Sequence, residues 1–417
     1  MANQKKVIII GGGTFNKIAP HISLATPAFG KTARTMYKTA KAMFTDMSVQ
    51  LHLTKMADSR SKLVTNEDVS KFVDELIKDT AVKVIIFNAA MCDFKLDIHN
   101  QPIGRLSSAQ TYPANMVGIQ EKVIGKIRKK RKDIFCVGFK TTFNQEPTEM
   151  IKLGLNLLKK NSLNLVIAND IGNRQNMIIT PEEGVYSGKR NEIIDKMLRM
   201  VYWRSHLTFT RSTVVDGNPI PWHSHHVPEN LRDVVNWLVL QGAYKTFNGA
   251  TTGHFAAKIK DGEYLTSIRK TNFNDIEKNG MVHVKADGDD SIIAYGVKPS
   301  VGGQSQRIIF NQHEGMDCIV HFHCPLKERP YHNIHVVSQE QYECGSHECG
   351  ANTADGLREY RVNAIAIKCV MLDNHGPNIV FSKSTPAWAI IDFIRANFDL
   401  SKPTHGYSGV YLDHVGE

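Results

Sequence analysis

Four short runs of β-branched and aromatic residues, at 7–10, 84–87, 135–139 and 163–168, punctuate the first half of the chain. Between them, residues 31–42, 66–78, 116–129 and 149–160 carry apolar side chains at the 3.6-residue spacing of amphipathic helices. A strand that rejoins a sheet in the same direction needs a crossover of this length, so the alternation confines this half to an α/β fold with a parallel sheet. Ligands of such sheets collect beyond the carboxyl ends of the strands. Those ends read Gly11-Gly12-Gly13-Thr14, Asn88-Ala89-Ala90, Lys140-Thr141 and Asn169-Asp170.

The alternation breaks near 205–228. There Asp216-Gly217-Asn218-Pro219-Ile220-Pro221 and the histidines His223, His225 and His226 interrupt it, and Pro228 opens a new helix at a position proline favours. Beyond this point glycine-rich turns separate β-like runs at 292–295, 319–322 and 365–371, and a last helix is expected over 386–397. With 417 residues the chain suits more than one domain. The expected division is a domain over 1–205, a linker over 206–227 and a second α/β domain over 228–417.

A net charge of +10 suggests nucleic acid until it is divided along the chain. Residues 1–205 hold 32 Lys and Arg against 18 Asp and Glu, whereas residues 206–417 hold 19 against 23. Much of the excess lies in 122–132, where no aromatic side chain interleaves to stack a base. That run reads first as a solvated helix end, with a polyphosphate or RNA contact as the alternative, so nucleic acid is not the expected partner. No apolar run approaches the roughly 18 residues of a membrane span, and Met1–Lys6 contains no apolar signal core. A cytoplasmic protein without membrane contact is expected. The odd number of cysteines, seven, points to free thiols in a reducing compartment.

A glycine turn after a buried strand can present amides to a phosphate, with Thr14 adding a hydroxyl, or can be a tight connection with no ligand. Further along come Phe29-Gly30-Lys31, Ala89-Ala90-Met91-Cys92-Asp93-Phe94, Val137-Gly138-Phe139 and Ala168-Asn169-Asp170, followed by Asn176 and Ser187-Gly188-Lys189. In this order the segments resemble phosphopantothenoylcysteine synthetase, over about residues 5–200. The resemblance implies a Rossmann-like domain that activates a carboxylate with CTP or ATP and Mg2+ and captures it with cysteine. It implies a nucleotide site lined by Gly11, Gly12, Gly13, Thr14, Phe139, Ala168, Asn169 and Lys189, with Ala90 and Asp93 close to the acyl-phosphate chemistry. The chain departs from that family at Thr26-Pro27-Ala28-Phe29-Gly30-Lys31, where the family has Asn-x-Ser-Ser-Gly-Lys.

In the second half, Val320-His321-Phe322-His323 sets two imidazoles on one side of a strand, because alternate strand residues share a face. Two such nitrogens can reach one ion, although ordinary strand histidines are the plainer reading of an isolated pair. His375, in Asn374-His375-Gly376 after the run ending at Met371, offers a third, and three neutral histidines with an open position suit a catalytic zinc ion. Cys344 and Cys349 fit a zinc knuckle poorly, since no second pair accompanies them.

A helix, the loop Asn248-Gly249-Ala250-Thr251-Thr252, then Leu265-Thr266-Ser267, Gln304-Ser305-Gln306, His321-Phe322-His323 and Asn374-His375-Gly376 together resemble the class II aldolase/adducin family, over about residues 228–398. The resemblance implies Zn2+ or another divalent transition metal on His321, His323 and His375, a small phosphorylated metabolite held through Thr251, Thr252, Thr266, Ser267 and Ser305, and a homo-oligomer. It also implies a proton donor some twenty residues past the second histidine, where Tyr342 and Glu343 stand; a polar surface loop is the alternative there. Where the family carries Ser-Ser-Glu this chain has Gln304-Ser305-Gln306, and glutamine cannot shuttle a proton at neutral pH. Three functions are therefore open: a metal-dependent lyase fused to a nucleotide-binding domain, a non-catalytic binding or scaffold protein keeping both folds, and a ligase of coenzyme A biosynthesis with a structural second domain.

Overall fold

The computed structural model describes residues 4–98, 105–119 and 121–404. They form two compact units, one of Met1–Pro181 with Tyr186–Ser205, the other of Glu182–Val185 with His206–Glu417.

Among the described residues of the first unit, seven strands make one sheet: β1 (Lys6–Gly13), β2 (Ser48–Leu53), β3 (Val82–Ala90), β4 (Phe135–Thr142), β5 (Leu165–Asp170), β6 (Asn176–Ile179) and β7 (Val185–Ser187). Their order is β7-β6-β5-β4-β3-β1-β2, parallel from β5 to β2, with β6 antiparallel to β5. The chain leaves β1 for one edge and returns to its other side, so the strand order reverses between β1 and β3. Their carboxyl ends, where Gly13 lies opposite Ala90, form the kind of crevice in which ligands of such sheets bind. Helices α1 (Lys31–Met43), α2 (Asn66–Lys78), α3 (Pro147–Asn161) and α4 (Arg190–Arg204) make the crossovers and flanks. α2 starts at Asn66 because Thr65 and Asp68 bond each other's backbone amides in a capping box, and α3 begins with proline in its first turn. Val7, Ile8, Ile9 and Ile10 are fully buried, which explains an apolar run without alternation.

Two expectations change. β1 does not turn after Ile10 but continues through Gly13, because glycine lets its end press against its neighbours. A Cβ on Gly11 would collide with Ala33 of α1, one on Gly12 with Thr54, and one on Gly13 with the carbonyl of Thr26. The helix expected over 116–129 is instead a strand, Ala114–Gly118, paired with Phe94–Ile98, and a short helix, Gly125–Lys130. Gly118 and Gly125 weaken a continuous helix, and Met116 and Val117 are exposed, so no buried face offsets that cost.

The basic run is engaged by the fold. Lys126 and Lys130 both pair with Asp74, and the Lys130 ammonium, helped by Lys126, holds that carboxyl below the ordinary carboxylate range. Arg128 donates to the carbonyls of Ser162 and Ile134, and Arg131 to those of Ile77, Asp79 and Val82.

The second unit is built on β8 (Arg211–Val215), β9 (His254–Lys260), β10 (Glu263–Ser267), β11 (Met281–Ala286), β12 (Ser291–Tyr295), β13 (Cys318–His321), β14 (Val336–Val337), β15 (Arg358–Val362), β16 (Ile365–Leu372) and β17 (Gly376–Phe381). They run β8-β12-β11-β10-β9-β13-β17-β16-β14, with β15 on β16, and the centre of the sheet is antiparallel. Helices α5 (Glu229–Leu240) and α8 (Ala387–Asn397) supply Leu231, Val235, Ile390 and Phe393 to one core with Phe255, Val320 and Phe322. Helices α6 (Gly303–Gln312) and α7 (His347–Gly356) supply Ile309 and Ala354 to a second core with Ala256 and Ile319. Period-two alternation along β9 and β13 divides their side chains between the two faces. The stretch 206–227, expected as a linker, contributes β8 and the fully buried Trp222. All seven cysteines are free, and among the described residues no helix is long and apolar enough to cross a membrane.

The contact of Gly11 with Ala33 predicts that Gly11→Val destabilises the first unit by about 1–3 kcal/mol through overpacking. Gly118→Ala, with open space around its Cα, should change stability by less than ~0.5 kcal/mol. Urea unfolding of both variants checks the pair, and equal midpoints would refute the packing account.

Candidate metal centre

Three imidazoles converge in the second unit. His321 Nε2 lies 3.2 Å from His375 Nε2, which lies 3.1 Å from His323 Nε2. Two nitrogens bound to one tetrahedral ion at 2.0–2.1 Å would stand ~3.3 Å apart, so the rings are already near a ligating arrangement. His321 ends β13, Phe322 points into the core against Phe398, and His323 continues the extended chain, so alternation puts both histidines on one side. His375 arrives on the three-residue turn between β16 and β17. His375 N–H bonds the Leu372 carbonyl, Asn374 takes the left-handed conformation, and Gly376 is needed because a Cβ there would strike the Phe322 carbonyl.

The outer nitrogens fix the chemistry of the inner ones. His321 Nδ1 lies 2.8 Å from the Pro377 carbonyl, which only accepts, so Nδ1 carries the proton and Nε2 keeps its lone pair. His323 Nδ1 lies 3.1 Å from Glu183 Oε2, so its Nδ1 also carries a proton, and the neutral ring that a metal takes turns its Nε2 lone pair inward. Burial pushes His321 well below the ordinary imidazole value, which keeps the ring neutral. Two lone pairs aimed at a third ring nitrogen suit a cation, so these residues fit the divalent metal that a three-histidine site takes.

Around this cluster stand His254, which the sequence did not mark, and several residues that it did. His254, paired with His321 across the β9–β13 ladder, stacks on it with ring centres 4.7 Å apart. Burial, reinforced by His323, pushes His254 down to about 3. Its Nδ1 is held 2.9 Å from Nε2 of the fully buried Gln306. Cys344 sets Sγ 3.8 Å from His375 Nδ1, beside the centre rather than in a second zinc site. Tyr342 is half-buried and Glu343 buried in the same segment. Only the strand register reveals His254, and no spacing signal announces Glu183, 140 residues from its partner.

Several expected phosphate contacts are committed within the fold. Thr251 Oγ1 donates to the Thr271 carbonyl and accepts from Phe273 N–H; Thr252 Oγ1 donates to the Lys245 carbonyl, and Thr266 Oγ1 to that of Phe255. These hydroxyls brace turns and the β9–β10 pair, because a buried hydroxyl takes the nearest carbonyl. Ser305 is buried, and Ser267 Oγ is buried with no hydrogen-bond partner among the described residues.

The expected nucleotide residues of the first unit gather at carboxyl strand ends, but the glycine segment does not present its donors. Gly13 N–H bonds the Ala28 carbonyl and Thr14 N–H the Ala90 carbonyl. Thr14 Oγ1, fully buried, donates to Asn66 Oδ1 at 2.5 Å and accepts from Cys92 N–H. Asp93 pairs with Lys122 at 2.9 Å. At the ends of β4 and β5, Phe139 is half-buried while Ala168 and Asn169 are buried, and Lys189 is exposed just before α4.

Residues 2–200 match the family model described as DNA/pantothenate metabolism flavoprotein C-terminal domain, and residues 238–390 match that of the Class II Aldolase and Adducin N-terminal domain. The chain thus joins a stretch similar to each family. Over 148 residues it is 30% identical to the coenzyme A biosynthesis bifunctional protein CoaBC of Methanocaldococcus jannaschii, covering 34% of this chain and 35% of that protein. Similar solved structures include the DNA/pantothenate metabolism flavoprotein of Streptococcus pneumoniae, at 18% identity and a TM-score of 0.41 over 47% of this chain and 98% of that one. Another is an L-fuculose 1-phosphate aldolase, at 14% identity and a TM-score of 0.30 over 42% of this chain and 84% of that one.

Asp170, which closes the Ala168-Asn169-Asp170 strand end, works within the fold. Burial raises its carboxyl, but the amides of Gln145, Asn173 and Asn144 and the Thr142 hydroxyl outweigh this and hold it well below the usual carboxylate range. A depressed folded value stabilises above the unfolded one, about 3.9, and the contribution fades as pH falls toward the folded value. Asp170→Asn should therefore lower the urea midpoint at pH 7, with the gap to the unaltered protein narrowing below pH ~4. A gap independent of pH would contradict this.

Proposed function

We propose, from the joining of a synthetase-like stretch to an aldolase-like one, that the second unit is a metal-dependent lyase acting on a small phosphorylated sugar or hydroxy-carbonyl compound. The first unit binds a nucleotide, CTP or ATP with Mg2+, or another phosphate. The observation that carries the reading is that His375 Nε2 lies 3.2 Å from His321 Nε2 and 3.1 Å from His323 Nε2, while the outer nitrogens of the latter two bond away from the cluster. A divalent ion such as Zn2+ held there supplies a Lewis acid that polarises a substrate carbonyl, which makes carbon–carbon cleavage or dehydration beside it accessible. Burial keeps His321 neutral and so available as a ligand. Tyr342 and Glu343 are the groups assigned to carry the proton. Ser267, whose buried hydroxyl has no partner among the described residues, and Ser305 are assigned to the substrate phosphate. The working domains are 1–205, apart from Glu182–Val185, and 228–417, with 206–227 and Glu182–Val185 folded into the latter, in a cytoplasmic homo-oligomer.

One observation favours a second reading, a binding protein without catalysis. Gln306 occupies the position that the aldolase resemblance gives to a carboxylate, and its amide is locked on His254. Ligation in coenzyme A biosynthesis, suggested by the archaeal relative's name, is weakened by the committed amides of Gly13 and Thr14.

Metal content by plasma mass spectrometry on tag-free protein tests the lyase reading. About one divalent ion per chain is expected, lost in the His321→Ala/His323→Ala double variant. Protein that takes up no metal even after reconstitution would sink it. Screening phosphorylated ketoses and aldols for turnover then separates a lyase from a binding protein.

A further inference from the structure

We infer that Glu183 is the positioning carboxylate of the metal centre, acting through His323; the inference rests on the metal-centre reading above. Glu183 lies outside residues 238–390, the stretch that matches the aldolase family model. Yet Glu182–Val185 belongs to the second compact unit, and Glu183 Oε2 stands 3.1 Å from His323 Nδ1. Both side chains are well shielded, at 6% and 12% exposure, so water competes weakly for the hydrogen bond. The backbone at Glu183 has φ 69°, a left-handed conformation that a non-glycine residue keeps only where its surroundings impose it.

The atom contacted defines the role. His323 meets His375 through Nε2 and Glu183 through Nδ1, on opposite sides of the ring. Glu183 therefore does not join the three converging nitrogens; it accepts the Nδ1 proton, selects the tautomer whose Nε2 lone pair faces inward, and makes that nitrogen more basic. His321 is oriented by a neutral acceptor, the Pro377 carbonyl, so among these two histidines the full negative charge is on the His323 side. Three neutral imidazoles leave a bound dication uncompensated, and a buried carboxylate one ring away offsets part of that charge without occupying a coordination position. Gln306, bonded to His254, offers no charge there.

The test is competition for Zn2+ between a chromophoric chelator and the full chain, together with the visible absorption of the Co2+-loaded protein. Glu183→Ala should weaken Zn2+ binding about 10–100-fold and alter the Co2+ bands. Glu183→Gln keeps an acceptor oxygen of the same shape without the charge and should fall between Ala and the unaltered protein. Circular dichroism and melting of the metal-free variants control for folding, and the isosteric Gln variant reports even if Ala misfolds. Unchanged Zn2+ affinity and Co2+ bands in a folded Gln or Ala variant would overturn the role of Glu183 while leaving the centre intact. Absence of metal in the unaltered protein would overturn the metal-centre reading itself, and this inference with it.

Discussion

Each of His321 and His323 gives its outer proton to an acceptor that cannot donate in return, and that fixes where its remaining lone pair points. Much of the second unit's local structure serves this arrangement. The β9–β13 ladder sets His254 behind His321, and Gly302 leaves room for the His254 ring, since a Cβ there would overlap its Nε2. Gly376 lets the hairpin close against the Phe322 carbonyl so that His375 can enter from the other side. Thr404 then bonds the carbonyl of His375 and, through its amide, that of His323. A polar cluster in a buried place is tolerable only when its hydrogen bonds are nearly complete, and the outer nitrogens of His321 and His323 are both bonded here.

The first unit treats its conspicuous motif differently. The residues that look like a phosphate cradle are the close-packed end of a strand, with amides and hydroxyl already bonded to neighbouring chain. Glycine is required there for proximity of protein to protein. Beyond the neighbouring strand end, Asp170 organises the loop by accepting its amides.

How much could be read from the chain follows from the range of each interaction. The parallel sheet and α2 were legible because periodicity is local, confined to residues a few positions apart. His321 and His323 were legible as a same-face pair for the same reason, and His375 through the order of motifs. A single helix over 116–129 gives way because Gly118 and Gly125 interrupt the apolar spacing and Met116 and Val117 find no buried face. The roles expected of Thr14, Thr251, Thr252 and Thr266 depended on whether their hydroxyls were free, which residue type alone cannot tell. His254 and Glu183 join the centre through strand register and long-range packing, and neither leaves a mark in spacing.

The three histidines are supported unequally, and this shapes how such a centre can change over time. His321 belongs to a strand hydrogen-bonded on both sides, and an inserted residue within that strand would turn the histidine pair toward the opposite face and bring core side chains into its place. His375 sits in a turn of three residues whose geometry depends on one left-handed asparagine, so insertions there displace a single ligand while the ladder survives. An insertion can thus displace the third histidine by a local change, but displaces the first two only together with the register of their strand.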